Sequence, residues 1–71
     1  MKSLREQGLD YDYTVRMVGG DVIFNSKNRK EALKYAKQDP DAKWVEYEEF
    51  DYATGEPFWS EVIWGEQDYG Y

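Results

Sequence analysis

Carboxylates and aromatic rings are the side chains of this sequence best suited to chemistry or partner binding, and both are concentrated in one segment. Residues 44–71 contain eight acids and nine aromatic residues but no lysine or arginine. Glu46 and Glu48 are two residues apart, so on a strand they lie on the same face. Such a pair can hold Mg²⁺ or act as a general acid and base. We favour the simpler interpretation that they are solvent-facing acids, which keep a strand edge from aggregating.

The residue types that most enzymes depend on are missing, because the chain has neither histidine nor cysteine. These residues supply the commonest general base, the thiol nucleophile and the soft metal ligands. Two aspartate pairs, at 10–12 and 39–41, lack the spacing of a calcium loop. Gly19-Gly20 is not followed directly by a helix, as a phosphate-binding loop would be. We therefore expect a protein without catalytic activity, cofactor or metal.

Charge is distributed unevenly along the chain, whose formal net charge is −6. Residues 1–43 have nine bases and seven acids, or +2, whereas residues 44–71 are at −8. This imbalance opposes direct binding to nucleic acid or to an anionic membrane and favours a basic protein as the partner. No run of about 20 apolar residues could span a bilayer. A cytoplasmic location is the expectation.

An alternating pattern predicts the first hairpin. Leu9, Tyr11, Tyr13, Val15 and Met17 fall on one face of a strand, and polar residues occupy the other. Gly19-Gly20 then provides a two-residue turn. Folding about that turn places Met17 opposite Val22 and Val15 opposite Phe24.

A helix is predicted to follow from a capping box formed by Asn28 and Glu31. It should begin near Arg29 and end at Asp39-Pro40, because proline disfavours a helical conformation in the residue before it. Its narrow apolar stripe consists of Ala32, Leu33 and Ala36, with Tyr35 at the edge. Small alanines allow such a helix to lie close to a sheet.

The acidic segment reads as a second hairpin, with strands near residues 43–52 and 58–64 joined by the turn Ala53-Thr54-Gly55-Glu56. The alternation in the third strand is imperfect. A β-bulge at Glu48-Glu49 would bring its apolar residues to one face. Alternatively both faces are used, and Trp44, Phe50 and Tyr52 form an outer contact patch.

This order of elements predicts an α+β fold, a two-layer β-β-α-β-β domain whose four-stranded antiparallel sheet has one helix packed on one face. The domain should span residues 9–65. Residues 1–8 are predicted to be a flexible lead-in, and residues 66–71 an acidic C-terminal tail.

The predicted function is binding of a basic protein through the acidic hairpin. The residues expected to contact this partner are Glu46, Glu48, Glu49, Asp51, Glu56, Trp59 and Glu61. One alternative is a homodimeric interaction module in which surplus aromatics such as Trp44 and Trp59 form the self-interface. A less favoured alternative is an RNA-binding regulator that uses the basic helix region with Lys27, Arg29, Lys30, Lys34 and Lys37.

Three stretches, VRMVGGDVIF, NRKEALKYAKQDPDA and WVEYEEFDYATGE, give the chain a general resemblance to small acidic proteins encoded by bacteriophages and other mobile elements. The resemblance extends over residues 9–65. Some members of that group are anti-CRISPR proteins, anti-restriction proteins or uracil-DNA glycosylase inhibitors, which occupy the nucleic-acid groove of a host enzyme. The resemblance implies a stoichiometric inhibitor, with a nucleic-acid-binding enzyme or a CRISPR effector as its target. It assigns no role to any individual residue.

Overall fold

The computed structural model describes residues 3–71 and has the predicted α+β architecture. Its centre is a four-stranded antiparallel sheet with the order β2-β1-β3-β4. The elements are a 3₁₀ helix at Arg5–Gln7, β1 at Leu9–Arg16, β2 at Val22–Ser26, α1 at Arg29–Gln38, β3 at Trp44–Asp51 and β4 at Pro57–Gly65. The two long central strands, β1 and β3, therefore have neighbours on both sides, and β2 and β4 are edge strands.

The register of the first hairpin was predicted correctly at one pair and incorrectly at the next. Val15 lies opposite Phe24, as expected, but Arg16 rather than Met17 lies opposite Val22. The shift occurs because β2 contains one extra residue, Ile23, between those two pairs. Such an extra residue is a feature of how the two strands pair, which the turn residues alone do not reveal.

The loop of this hairpin is longer than the two residues predicted. The Met17 amide donates to the Asp21 carbonyl over 3.0 Å, and the Gly20 amide donates to the Met17 carbonyl over 2.9 Å. Gly19 and Gly20 have φ values of 96° and 92°, a conformation that residues with a side chain rarely adopt. The glycines do turn the chain, but within a five-residue loop.

The helix begins and ends where the sequence predicts. Asn28 Oδ1 accepts a hydrogen bond from the Glu31 amide over 3.0 Å, and Asp39 is the C-terminal cap. Ala32 and Ala36 are buried against Val15 and Val45. These four small or β-branched side chains let the helix approach the sheet closely. The helix packs mainly on β1, β2 and β3.

Strand β3 pairs with β1 along its whole length without a register shift, so the predicted bulge at Glu48-Glu49 is wrong. The irregularities occur between β3 and β4, where Ile63 and Phe58 are the extra residues of β4. The alternative in which both faces of β3 are used is closer to the structure. Val45 faces the helix, whereas Trp44 and Glu46 lie on the opposite face.

The described segments before β1 and after β4 are hydrogen-bonded to the rest of the domain. Part of the predicted lead-in forms a 3₁₀ helix, and the Gly8 carbonyl accepts from the Tyr52 amide over 2.8 Å; Met1 and Lys2 lie outside the described residues. In the tail, the Asp68 carbonyl accepts from the Gly19 amide over 2.9 Å. Among residues 3–71, no helix has both the length and the apolar character needed to cross a membrane.

Candidate partner-binding surface

Arg16 lies between two of the predicted site residues on the sheet face that the helix does not cover. Its Nη2 donates to Glu48 Oε1 over 2.7 Å, and its Nε is 3.6 Å from Glu46 Oε2. A third contact, from Nη1 to the Gly20 carbonyl over 2.7 Å, ties the guanidinium to the first hairpin loop. The regular pairing of β1 with β3 brings these groups together. Glu46 and Glu48 share a face, as predicted, but they share it with a cation from another strand.

Glu46 is buried, with 6% of its surface exposed, so the expectation that it faces solvent is wrong. Its Oε1 accepts hydrogen bonds from Trp44 Nε1 over 2.6 Å and from Gln67 Nε2 over 3.1 Å. Burial acts to raise the pKa of Glu46, but these donors, Glu48 and Arg16 outweigh it and hold the pKa below its ordinary value. This carboxylate is therefore an internal hydrogen-bond acceptor.

Glu48 is half-buried, and its pKa is shifted in the opposite direction. Burial and the neighbouring Glu46 raise the pKa of Glu48, and Arg16 offsets only part of the rise. One guanidinium thus serves two carboxylates.

The C-terminal tail covers Trp44, which is completely buried. The centres of the Tyr69 and Trp44 rings lie 5.4 Å apart, and the ring planes meet at 65°, an edge-to-face arrangement. Trp44 therefore belongs neither to an outer contact patch nor to a self-interface. This correction could not be read from the sequence, because it depends on where residues 66–71 lie.

The exposed part of the acidic hairpin is its loop and the first half of its second strand. All residues from Pro57 to Glu61 are exposed, and among them Phe58 and Trp59 have 67% and 55% of their surface exposed. Glu56 is exposed beside them, and Glu49 lies directly opposite Trp59 on β3. We call Glu49, Glu56, Phe58, Trp59 and Glu61 the hairpin surface.

Two further acids of the hairpin have internal roles. Asp51 Oδ1 accepts from the amides of Ala53 and Thr54 over 2.9 and 3.0 Å and so organises the loop. Glu49 Oε2 accepts from the Tyr47 hydroxyl over 2.5 Å. Burial and this bond to a carboxylate raise the pKa of Tyr47, so its hydroxyl remains a donor.

An open groove with a volume of about 680 Å³ connects the hairpin surface with the ion pairs that Arg16 forms with Glu46 and Glu48. Acids and aromatic rings line it together, and they include Asp12, Glu48, Phe50, Pro57, Phe58 and Trp59. Carboxylates beside aromatic faces suit a basic side chain, which can form an ion pair and a cation–π contact. The groove therefore joins the hairpin surface to the sheet face that carries Arg16.

The seven predicted site residues therefore separate into two groups. Glu46, Glu48 and Asp51 hold the fold together, whereas Glu56, Trp59 and Glu61 are exposed and Glu49 is half-buried at their side. Sequence reasoning missed Phe58, the most exposed large hydrophobic side chain within the hairpin. The only available signal was its position after Pro57, since the bulge that displaces it has no sequence signature.

Of the five basic residues in the RNA-binding alternative, one is paired within the fold and four are exposed. Lys27 Nζ donates to Asp10 Oδ1 over 2.8 Å and lies 5.1 Å from the centre of the Tyr11 ring. The other four basic residues are exposed to solvent on the helix: Arg29, Lys30, Lys34 and Lys37.

Within residues 3–71 there is no group of three or more acids placed to hold a metal ion. Comparisons with protein-family models, with curated proteins and with solved structures each gave no match. The geometry of the chain therefore carries the functional argument.

Proposed function

We propose that this protein is a non-catalytic inhibitor that binds another protein through its hairpin surface. Its target would be a host defence or DNA-processing protein with a basic nucleic-acid-binding groove, in the cytoplasm of a bacterial host. The observation that carries the proposal is the exposed half of β4, where two large aromatic side chains stand beside acids in a segment without any base. Large exposed aromatic side chains in an acidic setting are typical of a protein contact surface.

The two kinds of side chain would contribute to binding in different ways. Glu56 and Glu61 imitate the charge of phosphates, so they would attract a basic groove over distance and speed association. Phe58 and Trp59 would be desolvated in the complex and slow dissociation, since large aromatic side chains are frequent binding hot spots. Both contributions are needed for a stoichiometric competitor of nucleic acid.

The acids proposed for contact are fewer than the sequence predicted. Glu46 is buried beneath Trp44 and Gln67, and Glu48 is already paired with Arg16. Reversing their charge would disrupt the fold and give no information about binding. Glu56 and Glu61 are the informative positions.

The test is capture of a target from bacterial lysate followed by a competition measurement on that target. Increasing amounts of the protein should displace nucleic acid from the captured target and reach completion near a one-to-one ratio. The variant E56K/E61K, which changes the net charge from −6 to −2, should lose most of this effect at low salt.

The matched control is D21K/D41K, which makes the same change in net charge at exposed positions. These two aspartates lie near the end of the sheet where Arg16 pairs with Trp44, away from the second hairpin loop. The control should inhibit like the natural protein. A target that binds nucleic acid and this protein at the same time would contradict the proposal.

A homodimeric module is the second candidate, because β4 is an edge strand that carries the exposed side chains of Phe58 and Trp59. Trp44, being buried, takes no part in it. Sedimentation equilibrium of the isolated chain separates the two candidates: a tight dimer that protects β4 would favour this one, and a monomer would favour the inhibitor.

A further inference from the structure

We propose that the outer edge of β4 binds an extended basic segment of the partner, which adds to the sheet as a fifth strand. This inference rests on the proposed function and specifies how the hairpin surface makes contact. In such strand addition, main-chain hydrogen bonds supply affinity, and alternate side chains supply specificity.

The edge of β4 is available for pairing. Within residues 3–71 the sheet ends at β4, which pairs with β3 alone, and the helix packs mainly on the other three strands. The residues from Pro57 to Glu61 are exposed as well. An edge strand presents unpaired N–H and C=O groups that template another strand.

The two irregularities of β4 restrict where a strand can be added. Phe58 and Ile63 are extra residues relative to β3, so regular pairing runs from Trp59 to Val62. Bulges at both ends twist the edge and limit a continuous ladder. A short docked segment fits this edge better than the long strand exchange that leads to aggregation.

Side-chain rows across the sheet indicate the chemistry of the added strand. Tyr11, Glu49 and Trp59 form one row, and Tyr13, Tyr47 and Glu61 form the next row on the same face. A residue added opposite Trp59 would therefore have an indole beside it and two carboxylates nearby. Lysine or arginine satisfies both groups.

Charge favours a basic segment over a second copy of this chain. Residues 57–65 contain Glu61 and no base, and each chain carries −6 overall. Two copies would repel each other, whereas a strand with basic residues at alternate positions would place them on the face of Glu61 and Trp59. Its intervening residues would lie on the opposite face, beside Ser60 and Val62.

The test uses an alternating lysine–valine heptapeptide with blocked ends and follows the amide signals of the ¹⁵N-labelled protein by NMR. Shift changes and slowed amide exchange should occur in β4 and be absent from β2, the other edge. A peptide N-methylated at two adjacent central residues keeps the charge but cannot pair cleanly along either edge. It should bind about tenfold more weakly or worse.

Two further controls examine charge. An alternating glutamate–valine peptide should not bind, and E61K should weaken binding of the lysine peptide while D41K should not. Equal binding of the N-methylated peptide, shift changes centred on β2, or no binding of the lysine peptide would each overturn strand addition.

If strand addition fails while the captured target is still displaced from nucleic acid, the proposed function stands. If the peptide adds to β4 but no nucleic acid is displaced, the inhibitor proposal fails.

Discussion

The indole Nε1 of Trp44 donates a 2.6 Å hydrogen bond to Oε1 of Glu46, and both side chains are buried on the sheet face away from the helix. One residue separates the two on β3, so the strand places their side chains side by side on the same face. Glu46 keeps its charge in this position because Trp44, Gln67 and Arg16 surround it. This contact explains why the acid at position 46 stabilises the fold.

Trp44→Phe should destabilise the protein by about 2 kcal/mol, because it removes a donor to a buried charged acceptor. Urea unfolding followed by circular dichroism measures the change. The control is Trp59→Phe, an equivalent substitution at an exposed site, which should change the free energy of unfolding by less than about 0.5 kcal/mol. Equal effects at the two sites would show that the Trp44–Glu46 bond contributes nothing.

Glu46→Gln and Glu48→Gln should show opposite pH dependences between pH 3 and 7. The folded-state pKa of Glu46 is lowered, so its contribution is present above its ordinary value and is lost as pH falls through the folded pKa. The folded-state pKa of Glu48 is raised, so its contribution is present at low pH and is lost as pH rises. Glu46→Gln should therefore become more destabilising as pH rises, whereas Glu48→Gln should become less destabilising. Urea midpoints at several pH values report both slopes, and slopes of the same sign would contradict this assignment.

Tyr69→Ala should uncover Trp44 and cost about 1 kcal/mol, the usual value of an aromatic pair beyond its area. Hydrogen exchange of the Trp44 indole N–H, measured by NMR, should become faster. Phe58→Ala is the control, because Phe58 is exposed and lies at the other end of β4 from Gly65, the partner of Trp44, so it should leave both quantities nearly unchanged. Unchanged indole exchange in Tyr69→Ala would show that the tail does not protect Trp44.

Gly20→Ala should be more destabilising than Gly19→Ala. Both glycines have positive φ, so both substitutions introduce similar backbone strain. A Cβ atom at position 20 would lie 2.9 Å from the Tyr69 ring, whereas one at position 19 meets open space. Thermal unfolding gives the difference, and Tyr69→Ala should abolish it. If the difference persists in that background, its origin is not the tail.

Trp59→Ala should leave the fold intact and weaken binding to the target, mainly by faster dissociation. A central aromatic anchor is typically worth about 2 kcal/mol or more, which is roughly a thirtyfold loss of affinity. Surface plasmon resonance separates the two rates, and circular dichroism checks the fold. An unchanged dissociation rate would remove Trp59 from the proposed interface.

The sequence by itself determined the elements whose causes are local. The helix bounds follow from the Asn28 cap and from Asp39-Pro40, and the second hairpin loop follows from the turn residues around Gly55. The alternation in β1 and the paired apolar runs led to the correct fold class. These features depend on backbone preferences and periodicity within a few residues.

Only the tertiary structure decided which acids remain available to a partner. Arg16 reaches Glu46 and Glu48 from a different strand, Gln67 donates a hydrogen bond to Glu46, and Tyr69 packs against Trp44. A run of acids looks uniform in the sequence, because burial and ion pairing are set by residues that lie 20 or more positions away. The bulges at Phe58 and Ile63 were hidden as well, since a bulge is a property of the pairing between two strands.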